Sequence, residues 1–317
     1  MGTYLLRRLL SAAVVLVLVS VAVFVMMHLL PGDALLVKLG QTGRLPADQL
    51  ARLRHQMGLD QPLYRQYFDW VRQIFNGTMG YSLIVDGKTV SGRIADAIPV
   101  TLELALIAGI SSLVLGILLG VLAAVFHDGP VDHLLRLVSF IGLAVPSFWL
   151  GLLVIIYGTL YLGYSPPTRN VQFWQDPLAN LSEFWIPGLI LGFALAASIM
   201  RMSRSTVLEA LREDYARTAR AKGLTEQAVI LQHVLRNALI PVITIFGNQA
   251  AFLFSGALIL EVVFALPGLG QLTYNAILQR DYTQIQGDAL VVGAVVVLVN
   301  LLTDLSYGWL DPRIRLA

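Results

Sequence analysis

The chain has no cysteine, which excludes disulfides and thiolate-held metals. It also has little charge. Asp, Glu, Lys and Arg make up 13% of its 317 residues, against the roughly 25% usual in soluble domains. A phosphate-binding loop is missing too. Gly87-Lys88-Thr89 carries the tail of that motif, but the required earlier glycine is replaced by Ser82, and no strand is expected before it. The net charge of +2 gives no footprint for nucleic acid. The low charge points to the membrane class, and the phosphate-loop match is not expected to bind nucleotide.

What the chain has is apolar length: 56% of its residues are hydrophobic. A spanning helix needs about 20 predominantly apolar residues, and six segments answer: Leu9–Leu30, Pro99–Phe126, Leu137–Leu162, Trp185–Met200, Leu239–Ala265 and Ala289–Leu310. The third contains Pro146. The fourth is short and is expected to continue as helix past Arg201. Arg7 and Arg8 precede the first run, but its length and the Leu30-Pro31-Gly32-Asp33 that follows predict an uncleaved anchor rather than a signal peptide. The expectation is an all-α membrane protein with six transmembrane helices, divided into a first helix at 1–30, an extracytoplasmic helical region at 31–98 and a five-helix core at 99–317. Arg7 and Arg8 place the N-terminus in the cytoplasm, and six spans return the C-terminus to the same side. Residues 31–98 fall outside despite their basic residues, because the charge rule weakens in loops longer than about 60 residues.

Within 31–98, one helix is expected after Pro46, carrying Leu50, Leu53 and Met57. A second is expected from Pro62 to Phe75, with Leu63, Tyr67, Trp70 and Ile74 on one face. The second span carries small residues at four-residue steps, Ala108, Ser112, Gly116, Gly120 and Ala124. Such faces permit close backbone contact where lipid supplies no hydrophobic drive between helices, which predicts either helix packing or a sliding gate. Glu103, Glu261 and Asp304 lie in or near spans, where carboxylates face protein or water. They are candidates for the pathway or its gate and, equally, for structural hydrogen bonding.

The segment Arg201–Asn237 stands apart from the rest. It carries seven Lys/Arg and four Asp/Glu between two apolar runs, as a cytoplasmic loop does. Helix is expected from Val207 to Lys222. Gly223 suits the position after it, Thr225 the next N-cap and Glu226 the first turn that follows. Ala216, Ala219 and Gly223 share one face, which is expected to seat in a partner's groove.

Tyr215-Ala216-Arg217-Thr218-Ala219-Arg220-Ala221-Lys222-Gly223-Leu224 is similar to the loop by which permease subunits of bacterial ABC importers contact their ATPases. The general pattern is Glu-Ala-Ala, three residues, Gly, nine residues, Ile-x-Leu-Pro. Here Ala219, Gly223 and Leu235 match it strictly. The continuation from His233 to Pro241 resembles the dipeptide, oligopeptide and nickel branch. Tyr4–Leu9, His28–Asp33, Gly58–Pro62, Thr101–Leu104, Glu261–Phe264, Pro267–Gly270 and Asp311–Arg315 resemble that branch too, in particular the first of its two paired permeases.

The resemblance implies a type I importer permease fold in the bacterial cytoplasmic membrane. It implies a homologous second permease, two ATPase subunits that bind ATP and Mg, and an extracytoplasmic substrate-binding protein. The chain itself would be non-catalytic and need no cofactor. Tyr215, Ala216, Ala219, Arg220, Lys222, Gly223 and Leu224 would couple it to the ATPases. Di- or oligopeptide is the expected cargo, with nickel, glutathione and haem as alternatives within the branch. From the residues alone, a proton-coupled secondary transporter and a non-transporting scaffold also remain.

Overall fold

Backbone polar groups in lipid must be satisfied within their own segment, so apolar runs of this length fold as helices. The computed structural model describes residues 2–29, 52, 55, 60–82, 84, 85, 87–167 and 171–310, with side chains between 6 and 303. The described elements are helical apart from one antiparallel bridge, Tyr81 with Thr89. In chain order they are α1 (Gly2–Leu29), α2 (Leu63–Phe75), α3 (Val90–Val125), α4 (Pro130–Ala144), α5 (Ser147–Leu162), α6 (Pro177–Arg212), α7 (Asp214–Ala221), α8 (Glu226–Phe264, with a π-helical stretch at Val229–Val234), α9 (Leu269–Gln279) and α10 (Tyr282–Leu310). Five of these are long and apolar enough to cross a membrane, and there are six if the bent pair α4 and α5 counts as one. The helix expected after Pro46 lies outside the described residues.

The chain divides into two compact units. The first comprises Met1–Val100 and Pro267–Leu301. Here Trp70, Tyr67 and Ile74 of α2 pack with Phe24 of α1 and Leu290 of α10, the face expected from their helical spacing. Leu63 does not join them and is exposed. Ser20 and Tyr67 share a 2.8 Å hydrogen bond, and a His28 ring nitrogen pairs with Gln66 Oε1 at 3.2 Å. A polar knot lies between the start of α3 and the start of α10. Arg93 donates to Asp281 (3.4 Å) and Gln284 (3.0 Å), Ser82 donates to Asp281, and Gln284 and Thr273 donate to Asp288. Asp281, Gln284 and Asp288 are fully buried.

The second unit comprises Thr101–Leu266 and Leu302–Ala317. Its axis is α6, whose 36 residues measure roughly 54 Å at 1.5 Å per residue. Asp176 caps it, accepting from the Leu178 and Ala179 N–H groups, and Pro177 occupies the first turn, where no N–H is needed. α6 packs on α4, α8 and α3. The small face of α3 supplies the last of these contacts. A Cβ on Gly116 would stand 2.6 Å from Ile199 Cβ, and one on Gly120 2.5 Å from Ser203 Cβ. On α6, Gly192 lies against the Ala108 carbonyl in the same way, at 2.6 Å. The small-residue stripe is therefore a close helix–helix contact.

Two expectations change. The third span is not one straight helix, because α4 and α5 meet at Pro146 with a bend of 103°. Pro146 lacks the N–H that would continue the ladder and forces Val145 out of helical geometry, to ψ 124°. The helix expected over Val207–Lys222 is also interrupted. Glu213 is extended, at ψ 151°, and its carbonyl accepts the N–H groups of Ala216 and Arg217 in the first turn of α7.

Candidate functional site: the 201–237 loop

Each piece of the loop has a local cause. α6 ends at Arg212, Glu213 turns the chain, and α7 runs for two turns. Gly223 then adopts φ 83°, in the left-handed region, where a glycine pays no Cβ penalty. Thr225 caps the next helix by accepting the Ala228 N–H at 3.4 Å. Arg220 fastens the turn. Its Nε and Nη2 donate to Glu226 at 3.0 and 2.8 Å, and its Nη1 donates to the Leu211 carbonyl at 3.1 Å. One guanidinium thus ties α6, α7 and α8 together, in the planar geometry that suits arginine. The hydrogen bonds it donates to the Glu226 carboxylate hold the Arg220 guanidinium above its already high ordinary value.

The faces of α7 are assigned differently from expectation. Ala216 and Ala219 are buried within this chain, in a cluster with Val207, Ala210, Val229, Val234 and Ala238. Their small side chains let α7 lie close against its own α6 and α8, so they do not present a surface to another protein. The outward surface includes Tyr215, Arg217, Thr218, Arg220, Lys222, Gly223 and Leu224. Beside it lies a recess of about 240 Å³, with His127, Arg212, Arg220 and Glu226 at its edge and Ala124, Leu208 and Ile230 among its apolar walls.

The candidate carboxylates sit on three helices. Glu103 of α3 is half-buried, with Asn180 and Glu183 of α6 near it. Glu261 of α8 is fully buried. Asp304 lies on α10, and its side chain falls outside the described residues. Sequence reasoning passed over Glu183, which is 2% exposed. It also passed over Asp132, whose carboxylate receives Arg204 Nε and Nη2 at 2.7 Å each. If Glu103 serves through hydrogen bonding, Glu103→Gln will keep near-normal transport and Glu103→Ala will lose stability by about 1–3 kcal/mol. Equal transport losses in both, with normal assembly, would assign a pathway role instead.

The family described as binding-protein-dependent transport system inner membrane component matches residues 116–316, and the N-terminal component of the same system matches residues 1–105. The chain belongs to this family. The permease is similar to the di/tripeptide transport system permease protein DppB of Pseudomonas aeruginosa (strain UCBPP-PA14), with 38% identity over 94% of each chain. It is similar to the glutathione transport system permease protein GsiC of Escherichia coli O6:H1, with 37% identity over 99% of each. Among solved structures, an inward-facing MetNI methionine ABC transporter matches with a TM-score of 0.53 and 21% identity, over 69% of this chain and 96% of that one. That likeness carries the type I permease fold.

Proposed function

We propose that this permease forms half of the membrane pathway of an ATP-driven peptide importer, and that the 201–237 loop couples it to ATPase subunits. The remainder of the machine would be a second permease, two ATPases that bind ATP and Mg, and an extracytoplasmic binding protein. The observation that carries the coupling role is the way the loop is built. α7 is fastened through Arg220 to both α6 and α8, and these two helices run from the loop into apolar spans. A displacement of α7 would therefore be passed to both. The peptide reading rests on the similarity to DppB. GsiC is almost as similar, so glutathione is the second cargo to screen.

The test is Gly223→Trp in the assembled transporter. Nothing stands within 4 Å of a Cβ there, so the chain will still reach the membrane. The left-handed backbone is strained by any side chain, at about 1–2 kcal/mol, and the indole occupies the outward surface. Loss of a seated partner surface is expected to cost about 2 kcal/mol or more of binding, read as failure of the ATPase to co-purify and loss of uptake in proteoliposomes. Gly223→Ala, which adds the strain alone, should retain most uptake. Coupled uptake at the wild-type rate by the Trp variant would overturn the coupling role.

We place both termini and the loop in the cytoplasm and residues 31–98 outside. In this cysteine-free chain, Gln61→Cys should react with an impermeant thiol reagent in intact cells while Thr225→Cys stays protected. The opposite pattern would reverse the orientation.

A further inference from the structure

The bend at Pro146 coincides with a cavity. Its volume is about 510 Å³, within the roughly 300–1,000 Å³ of ligand pockets. Ala144, Pro146 and Ser147 form one side, Leu195 of α6 another, and Gln249 and Phe252 of α8 a third. Every helix end leaves backbone groups without intrahelical partners, and here two ends fall within one apolar segment. Pro146 has no N–H to offer the Gly142 carbonyl, and α5 begins without a side-chain cap. At membrane depth such backbone is tolerated only where it is buried in protein or lines a wet cavity, and broken helices serve transporters as binding elements.

The walls show what would fit. The lining carries no acidic, basic or histidine side chain, so it offers nothing to a bare metal ion or to a fixed charge on a ligand. It offers apolar surface with a few polar points: Ser147, the free backbone of the bend and Gln249. Gln249 donates through Nε2 to Ser198 at 3.3 Å, which leaves its Oε1 to accept an N–H. Apolar walls tolerate varied side chains, while amide-sized donors and acceptors read what every peptide shares.

We infer that the cavity between the α4–α5 bend, α6 and α8 is a transit subsite for a peptide main chain, with Gln249 accepting a ligand amide N–H. The inference rests on the peptide-importer reading. It narrows that reading, because it places recognition during transport on the backbone rather than on side chains or a metal.

The experiment uses the complete transporter in proteoliposomes with a saturating loaded binding protein. It compares a tripeptide with its analogue N-methylated at an internal amide, as peptide moved per ATP hydrolysed. Wild type should move the methylated peptide about three- to tenfold less efficiently, the scale of one neutral hydrogen bond. Gln249→Met should move both alike, and Gln249→Glu, which keeps an acceptor, should still discriminate. Independently, Phe252→Cys should be labelled more slowly by a small thiol reagent during peptide transport, while Phe68→Cys, on α2, is unaffected. Retained discrimination by Gln249→Met, or unchanged labelling at Phe252→Cys, would overturn the subsite. Wild type that moves peptide regardless of methylation removes the subsite alone. Wild type that moves no peptide removes the importer reading with it.

Discussion

Asp132→Ala is expected to destabilise the permease by about 3–5 kcal/mol, the cost of breaking a buried ion pair from one side. The Asp132 carboxylate is fully buried and Arg204 is only 22% exposed. The two guanidinium contacts at 2.7 Å are bidentate, the strong form of this interaction. The carboxylate also accepts the Asp128 N–H at 3.0 Å and lies 3.5 Å from Arg136 Nε. It sits in the first turn of α4, where negative charge is favoured. Alanine removes all of this and leaves the Arg204 charge with no carboxylate facing it from α4. Thermal inactivation of the detergent-solubilised assembly should shift accordingly, and membrane levels should fall. Asp132→Ala with Arg204→Met should recover much of the loss, since an apolar replacement of both partners avoids a stranded charge. If single and double variants melt alike, the pair is not what holds α4 to α6.

Gly120→Ala should cost about 3 kcal/mol, the upper end for overpacking, although it adds one methyl to a membrane helix. The new Cβ would meet Ser203 Cβ at 2.5 Å, the Met200 carbonyl oxygen at 2.7 Å and the Arg204 backbone nitrogen at 3.2 Å. Backbone atoms of α6 cannot rotate away, so α3 and α6 must separate. That separation strips dispersion contacts along the stripe and disturbs the position of Arg204. The same change at Gly109 is the control. Its Cβ would meet only the Leu253 and Phe246 side chains, at 3.5 Å, which is ordinary contact, so Gly109→Ala should be neutral within about 0.5 kcal/mol. Equal stability of the two variants would mean that α3 and α6 are free to slide, the gate-like alternative.

The two changes differ in how readable they were. The stripe on α3 is a local, four-residue periodicity, visible along the chain before any fold is known. The ion pair joins residues 72 positions apart, and the Ser82–Asp281 contact joins residues 199 apart. Nothing along the chain marks either pairing.

The sequence alone determined the membrane class, the apolar segments, the permease resemblance and the loop's punctuation at Gly223 and Thr225. These depend on run length, composition and short-range backbone preference, which act within a few residues. Only the tertiary structure decided which face of α7 is available. Ala216 and Ala219 are small enough for either a partner's groove or an intramolecular contact, and the packing of Val207, Val229 and Val234 settled it inward. Pro146 was visible in the third span, but a proline is compatible with a gentle kink as well as with a sharp break. The 103° bend and the cavity beside it follow from where α6 and α8 stand, because a broken ladder survives at membrane depth only where neighbouring helices leave room to satisfy it.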